Sequence, residues 1–278
     1  MPVPAPVLSV VIPAYNNGRT LGETLASVLA QDVDGLEVIV ADHSSSDNTV
    51  DVMRGVQTDP RVTLLETPAG GGAARNWNRV TDAARGEFVK LVCGDDVLRP
   101  GTLARQLDLL RSTGAVLTAC RRDVVDSDGR VLVAAWGLRG LTTRMPGAEA
   151  VRRAVRAGSN LFGEPASVMM RRDSLVSTGG WFDRFPYLID QATYSRVLMD
   201  GEFVPDMEVG ATFRMSATQW SVALVREQSV QARAFHQWLR AETPTVLSPT
   251  DVRIGNLRAS AMARARRLSY RLLERRMR

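Results

Sequence analysis

Cysteine, histidine and lysine are scarce in this chain of 278 residues. The two cysteines, Cys93 and Cys120, have the spacing of neither a zinc site nor a disulfide framework. We therefore interpret both as small buried hydrophobic residues. Lys90 is the single lysine, so nearly all of the positive charge is carried by arginine.

Long apolar runs are also missing. No stretch approaches the roughly 20 residues that a membrane-spanning helix needs. The N-terminal segment MPVPAPV has neither the basic start nor the apolar stretch of a signal peptide. With 45% hydrophobic and 23% charged residues, the composition is that of a folded globular protein, and we expect a cytoplasmic location.

The positive charge is concentrated at one end of the chain. Residues 251–278 carry nine arginines against two acids, whereas the net charge of the whole chain is +5. The other 250 residues therefore have a net charge of −2. Because the basic segment contains a single aromatic residue, Tyr270, and no pattern of aromatics interleaved with its arginines, we expect no nucleic-acid partner.

Apolar strands and amphipathic helices alternate through the first 114 residues. The run LSVVIPA indicates a strand, and the leucines that follow it are at helical spacing. Strands that are apolar on both faces and are joined by helices form a mostly parallel sheet covered on both sides. We predict strands at 8–14, 36–42, 61–66 and 87–93, and helices at 18–31, 44–56, 71–86 and 101–114. The predicted class is therefore α/β, with a Rossmann-like sheet.

The regular alternation ends after Gly114. A hairpin turning at 127–129, a loop-rich stretch and a helix at 186–201 follow. A last strand is predicted at 209–215, and the chain ends in two helical stretches, roughly 219–241 and 251–277. This part of the sequence does not by itself define a fold.

Acidic residues stand at the ends of two predicted strands. Asp42 ends the second strand, and Asp95 and Asp96 follow the fourth. Ligands collect at the carboxyl ends of parallel strands, and the glycines at 70–72 allow a close approach of the backbone. Oxygen ligands suit Mg²⁺ or Mn²⁺, which commonly hold phosphates in proteins. Taken alone, the acid pair is equally compatible with a solvated turn or a helix cap.

Four ordered motifs add a family resemblance. The runs SVVIPAYNNG, VIVADHSSSDNT, TPAGGGAARNWN and KLVCGDDVLRPG resemble the family 2 glycosyltransferases of the GT-A fold. The resemblance is strong over residues 7–120 and weak to about 220. It implies a nucleotide-diphosphate-sugar donor and an inverting transfer. We expect a GT-A domain at 1–218, with a donor-binding half at 1–120 and an acceptor-binding half at 121–218, and a C-terminal helical extension at 219–278.

The resemblance also implies the residues of the donor site. Asp42 would contact the nucleobase, and Arg75 would lie near the diphosphate and sugar. Arg214, together with Gln219 and Trp220, resembles a late loop that closes over the diphosphate in many members of the family. The ribose and a divalent cation, Mn²⁺ or Mg²⁺, are assigned to Asp95 and Asp96 together. The segment that would line base and ribose consists of Pro13, Ala14, Tyr15 and Asn16. For Arg75, the alternative is an ordinary exposed helical arginine.

Two positions depart from the family pattern. His43 replaces the second acid of the base-contacting segment, which leaves the choice of nucleobase open. Cys93 stands where the metal motif usually begins with an acid, and a soft thiol is a poor ligand for Mg²⁺ or Mn²⁺. We therefore expect a reduced metal affinity.

The acceptor side rests on fewer signals. The Glu-Asp motif that carries the family's catalytic base resembles Ile189-Asp190, so Asp190 is predicted to be the general base. Its alternative role is a charge in the first turn of a helix. Trp181 and Asp183 are predicted to bind the acceptor, with a core position as the alternative for the tryptophan. We interpret His236 as an ordinary helical histidine.

The terminal helix has an apolar stripe among its arginines. The stripe is predicted to consist of Ile254, Leu257, Ala261, Ala265, Leu268 and Leu272. Such a helix can lie peripherally on an anionic membrane, or it can pack on the body of the protein. Packing is slightly favoured.

The sequence thus predicts an inverting, metal-assisted glycosyltransferase whose acceptor is a glycan, a lipid-linked molecule or a small molecule. Two alternatives remain open. The changes at His43 and Cys93 would suit a nucleotide-binding module that has lost transfer activity. A nucleotidyltransferase with a related sheet would use the acids for phosphoryl transfer.

Overall fold

The structure is a computed structural model that describes residues 5–215 and 227–276, with side chains up to Arg264. Gln219 and Trp220 lie outside the described residues. The elements that were predicted for the first 114 residues are all present, with helices a few residues shorter than expected. In chain order they are β1 (Leu8–Ala14), α1 (Leu21–Leu29), β2 (Leu36–Asp42), α2 (Thr49–Arg54), β3 (Val62–Glu66), α3 (Gly72–Asp82), β4 (Phe88–Leu91), β5 (Val97–Leu98) and α4 (Thr102–Thr113).

The second half of the chain is less regular. A 3₁₀ turn at Pro165–Ser167 precedes its fourth strand, and another at Leu198–Asp200 follows its last short helix. The elements are β6 (Leu117–Val125), β7 (Val131–Trp136), β8 (Met145–Pro146), α5 (Gly147–Ala157), β9 (Val168–Arg171), α6 (Arg172–Ser177), α7 (Ile189–Val197), β10 (Glu202–Arg214), α8 (Gln228–Glu242) and α9 (Pro249–Arg276).

One sheet runs through both halves, in the strand order β3-β2-β1-β4-β9-β6-β10-β5. The pairs β3/β2, β2/β1 and β1/β4 are parallel, as predicted for βαβ units. The strand β9 inserts antiparallel between β4 and β6, while β10 pairs parallel with β6. The prediction of a mostly parallel sheet is therefore confirmed for the first four strands, and the second half adds antiparallel pairs.

Apolar side chains are buried on both faces of this sheet. Along β1, Val10 and Ile12 belong to one core cluster and Val11 to the other, because successive side chains of a strand point to opposite faces. Helices cover both clusters. Because β1 is parallel to both β2 and β4, the carboxyl ends of the three strands meet at one edge of the sheet. This edge is open to the cleft described below.

The C-terminal helix α9 packs against α5 and α8. Its buried face includes Val252, Ala259 and Ala263, and the buried carboxylate of Asp251 pairs with arginines of α5. The stripe that was expected to be its contact face is not the buried one, since Leu257 is 73% exposed. Within the described ranges, no helix has the length and apolarity to cross a membrane.

Candidate active site

A large cleft lies at the carboxyl ends of β1, β2 and β4 and is closed on the other side by α7, α8 and α9. Its volume is about 1980 Å³, roughly twice the upper end of the range for small-molecule sites. This volume gives room for two substrates side by side. Of the predicted site residues, the cleft brings together Pro13, Tyr15, Asn16, Asp95, Asp96, Asp190 and Arg214.

Two loops tie together the wall beside β1 and β2. The amide of Asn16 donates to Ser45 Oγ (2.9 Å), and Asn16 Oδ1 accepts from the amide of Ser46 (2.9 Å). Asn16 has a φ of 51°, in the left-handed region that asparagine tolerates better than most residues. Asp47 accepts from the amide of Gly18 (2.9 Å). The PAYN segment and the segment after β2 therefore form one connected wall.

His43, rather than Asp42, faces the cleft from the end of β2. Asp42 is 6% exposed, and its Oδ2 accepts from the amide of Ser45 (3.0 Å) in its own turn. His43 Nε2 lies 2.9 Å from the carbonyl of Gly70, and its ring packs edge-on against Tyr15 at 6.0 Å. His43, which stands where the family pattern has its second acid, thus supplies part of the cleft wall.

The acid pair after β4 forms a compact group with Cys93. The ligand atoms of Cys93, Asp95 and Asp96 all lie within 4.8 Å of one another. Asp96 is 1% exposed, and its Oδ1 accepts from the amide of Arg214 (3.2 Å), while its Oδ2 has no hydrogen-bond partner in the described part of the chain. Burial and the neighbouring Asp95 raise the pKa of Asp96 well above its usual range. A divalent cation would relieve this cost.

Gly94 is required by close packing between this group and the β1–α1 loop. A Cβ atom at Gly94 would lie 2.6 Å from Asn17 Oδ1. The carbonyl of Gly94 also accepts from the Thr20 hydroxyl (2.8 Å). Any larger residue would force the Asn17 side chain or the backbone at Gly94 to shift.

Arg214, at the end of β10, connects three segments at the cleft. Its Nη2 pairs with Glu23 Oε2 (2.6 Å), its Nη1 donates to the carbonyl of Ser127 (3.2 Å), and its Nε donates to the carbonyl of Asp95 (3.2 Å). Its guanidinium therefore lies beside the acid pair.

Asp190 faces the cleft from the first turn of α7. Its Oδ1 accepts from the amide of Gln191 (2.7 Å), and its Oδ2 accepts from Asn160 Nδ2 (2.8 Å). Burial raises the pKa of Asp190 to about 7, against the lowering effect of these hydrogen bonds. A carboxylate with this pKa is suited to accept a proton near neutral pH.

Sequence reasoning missed three cleft residues: Arg122, Glu164 and Asn160. Arg122, from β6, is 3% exposed and forms an ion pair with Glu164, from the loop before β9. Within this pair, Glu164 raises and Arg122 lowers the pKa of both Asp96 and Asp190. The only signal in the sequence was a lone Asn and a lone Glu in the GSNLFGEP loop, which is too little to single them out.

Five predicted site residues are not part of the cleft wall. Ala14 is fully buried, and the exposed Arg75 donates to the carbonyl of Ala69 (3.0 Å). Trp181 is 3% exposed and donates through Nε1 to Thr81 Oγ1 (2.9 Å), so it is a core residue. The remaining two are Asp42, which is held in the turn after β2, and Asp183, which is exposed and does not line the cleft.

Solved structures share this architecture. S. aureus TarS 1-349 in complex with UDP-GlcNAc matches with a TM-score of 0.70 and 17% identity over 88% of this chain and 69% of that chain. Mannosyltransferase PcManGT from Pyrobaculum calidifontis, in complex with GDP-Man and Mn²⁺, matches with a TM-score of 0.61 and 21% identity over 98% of this chain and 81% of that chain. At these identities the likeness concerns the fold, which is the GT-A fold of glycosyltransferases.

The curated relatives include a named glycosyltransferase. A Mycobacterium tuberculosis protein called "Uncharacterized protein MT1568" is 30% identical over 260 residues, which is 89% of this chain and 79% of that protein. The GalNAc(5)-diNAcBac-PP-undecaprenol beta-1,3-glucosyltransferase of Campylobacter jejuni is 38% identical over 101 residues, 36% of this chain and 33% of that protein. Succinoglycan biosynthesis protein ExoO of Rhizobium meliloti is 36% identical over 129 residues, 46% of this chain and 36% of that protein. The last two matches thus span only about a third of each relative.

The family model described as Glycosyl transferase family 2 matches residues 9–178. The chain therefore belongs to this family. The resemblance that the four motifs indicated is confirmed, and so is the prediction of a glycosyltransferase.

Proposed function

We propose that the protein transfers a sugar from a nucleoside-diphosphate sugar to an acceptor hydroxyl, with inversion at the anomeric carbon. The observation that carries the proposal is the placement of Asp190 in the same cleft as Asp95 and Asp96. One cleft then contains a carboxylate that can accept a proton and a pair of acids beside which a diphosphate can be held.

The donor would lie between the β1 and β2 loops and the acid pair. Tyr15 is 59% exposed and, with His43, offers aromatic surface to a nucleobase. Arg214 is the arginine beside the acids, and it replaces Arg75 in our proposal for the diphosphate contact. The PAYN loop and His43 would then take the place of Asp42 on the base side.

Asp95 and Asp96 would hold the divalent cation. Their carboxylate oxygens suit Mg²⁺ or Mn²⁺. Asp96 Oδ2 is buried and has no hydrogen-bond partner in the described part of the chain, so it is available to bind a cation. The thiol of Cys93 is the poor member of the group, because burial raises its pKa well above its usual range and keeps it protonated. When bound, the cation neutralises negative charge on the departing diphosphate.

Asp190 would act as the general base. The acceptor oxygen forms a bond to the anomeric carbon while its proton passes to Asp190. The bond from that carbon to the diphosphate oxygen breaks on the opposite face, and its electron pair leaves with the diphosphate. The products are a glycoside of inverted configuration and a nucleoside diphosphate.

We place the acceptor, whether a glycan, a lipid-linked molecule or a small molecule, on the α7 side of the cleft beside Asp190.

We also propose a cytoplasmic location, with peripheral contact to the membrane through α9. The exposed Leu257 and the exposed arginines Arg253, Arg258 and Arg264 support that contact. Co-sedimentation with anionic vesicles, lost in Leu257→Asp, tests it.

Product analysis tests the transfer itself. The purified protein is incubated with a panel of UDP-, GDP-, dTDP- and CDP-sugars and Mn²⁺, and released nucleotides are separated by chromatography. We expect release of one nucleoside diphosphate, reduced by about 10²- to 10⁴-fold in Asp190→Asn. The exposed Asp108→Asn on α4 is the matched control and retains full turnover.

The two alternatives make different predictions in the same assay. Release of pyrophosphate from a nucleoside triphosphate would identify a nucleotidyltransferase. Calorimetric binding of a nucleoside diphosphate without turnover of any donor would identify a nucleotide-binding module.

A further inference from the structure

We propose that Asn160 is a positioning residue that holds the carboxylate of Asp190 in place for proton transfer. The inference rests on the proposed role of Asp190 as general base. It adds a residue outside the four motifs, and it assigns a task to the GSNLFGEP loop between α5 and β9.

The side-chain amide of Asn160 has a fixed orientation. Its Oδ1 accepts from the backbone amides of Phe162 (3.1 Å) and Gly163 (3.2 Å). Because two N–H groups point at this oxygen, the NH₂ group must face the other way. The two hydrogens of Nδ2 are directed to the carbonyl of Gly163 (2.8 Å) and to Asp190 Oδ2 (2.8 Å). Three bonds to its own loop thus determine where Asn160 offers its remaining donor.

The loop itself is anchored on both sides. Gly158, with a φ of 67°, packs so closely on α9 that a Cβ atom would lie 2.5 Å from the amide nitrogen of Ala259. Phe162 is fully buried and packs edge-on against Tyr194 of α7, with ring centroids 6.2 Å apart. The helix that carries Asp190 and the loop that carries Asn160 are therefore packed together, and the distance between them is set by the core.

The charged groups around Asp190 make this contact consequential. The Glu164 carboxylate faces Asp190 and disfavours its negative charge, whereas the Arg122 guanidinium from β6 faces it and favours that charge. The phenol of Tyr194 also faces Asp190, and the carboxylate disfavours ionisation of that phenol. Cys93 faces it from the end of β4. Asn160 offers a neutral donor to the charged form of the carboxylate, and so favours the proton-accepting state in an orientation that leaves lone pairs for the acceptor.

The decisive variant is Asn160→Asp, because it keeps an oxygen acceptor for the amides of Phe162 and Gly163 but removes the donor to Asp190. We expect kcat to fall by about tenfold or more while the donor KM changes by less than about twofold. The midpoint of the rate against pH should also rise by about one unit, since a second carboxylate now faces Asp190. Asn160→Ala should lower kcat similarly and also lose thermal stability.

Asn78→Ala is the matched control. Asn78 is a half-buried asparagine that brackets the backbone of Trp181 with two hydrogen bonds, away from the cleft. It should lose stability as Asn160→Ala does, with kcat and the pH profile unchanged. An unchanged kcat and pH profile in Asn160→Asp would overturn the proposal.

A second measurement separates this inference from the proposed function. The carboxyl ¹³C resonance of Asp190, assigned by its loss in Asp190→Asn, is titrated in the wild type and in Asn160→Asp. If no donor is turned over by the wild type, the proposed transfer fails, yet the titration still reports on the contact. A midpoint that moves upward in Asn160→Asp supports the positioning role, and an unmoved midpoint overturns it.

Discussion

The proposed donor side and the proposed acceptor side of the cleft are built in different ways. On the donor side, three parallel strands end at the same edge, and short loops after β1, β2 and β4 form the wall. On the acceptor side, Arg122, Asn160, Glu164 and Asp190 come from a strand, a loop and a helix that repeat no pattern. A repeated βα unit places its functional loops automatically, whereas the acceptor side depends on individual tertiary contacts.

The largest expected effect comes from breaking the donor side. Asp96→Ala should remove Mn²⁺-dependent binding of a nucleoside diphosphate, with at least about 100-fold weaker affinity, because the buried carboxylate is the best-placed cation ligand. Calorimetric titration with and without Mn²⁺ measures this loss. Asp108→Ala, an exposed acid on α4, should bind as the wild type does. Equal affinities of Asp96→Ala and wild type would refute the assignment.

The same contrast explains how far the sequence could predict this structure. The strands β1 to β4 and their helices follow from apolar runs and helical spacing, and the four motifs identified the family. The motifs did not reveal that Asp42 is held in its own turn while His43 faces the cleft, because that depends on side-chain direction at one turn. The insertion of β9 between β4 and β6 is likewise decided by long-range pairing.

The acceptor side was predictable only where a motif existed. The family motif singled out Asp190, which lies in the cleft, and its role as the base stays a prediction. For Trp181 the sequence left an acceptor contact and a core position open, because an aromatic residue after two glycines looks the same in sequence in either place; the structure buries it. The pair of Arg122 and Glu164 joins residues that are 42 positions apart, and no local pattern links them.

The second prediction compares the ion pair of Arg122 and Glu164 in the cleft with the ion pair of Asp59 and Arg61 in the first half of the chain. In Glu164→Ala, Arg122 is left buried without its carboxylate, so the free energy of unfolding should fall by about 3 kcal/mol. In Asp59→Ala, the partner Arg61 is 36% exposed and can be hydrated, so the loss should stay below about 1 kcal/mol. Urea denaturation measures both. Similar losses in the two variants would mean that water compensates Arg122 as well.

The third prediction concerns pH. Because burial raises the pKa of Asp190 to about 7, kcat should fall by about tenfold for each unit below pH 7, as the carboxyl becomes protonated and cannot accept a proton. A flat profile between pH 5 and 8, measured at saturating donor, would argue against Asp190 as the base.

Stability should show the opposite trend at this residue. The folded pKa lies above the unfolded one, so the stabilisation from the protonated carboxyl is fully present below the unfolded value and is lost as the pH rises through about 7. The asparagine in Asp190→Asn does not ionise, so this variant does not lose stability as the pH rises. At pH 8 it should therefore be more stable than wild type by about 1–2 kcal/mol, with a smaller difference at pH 5. Thermal unfolding at the two pH values measures the change, and a variant less stable than wild type at pH 8 would contradict it.

The smallest expected effect tests whether Trp181 belongs to the core or to the acceptor site. Trp181→Phe keeps the ring contact with Trp77, whose centroid is 4.9 Å away, but loses the hydrogen bond to Thr81. We expect a loss of about 1 kcal/mol in unfolding free energy and an unchanged acceptor KM. If the acceptor KM instead rose several-fold at unchanged stability, the indole would be a substrate contact. The acceptor side of the cleft would then extend through the core to α3, and the division between a loop-built donor side and a contact-built acceptor side would have to be redrawn.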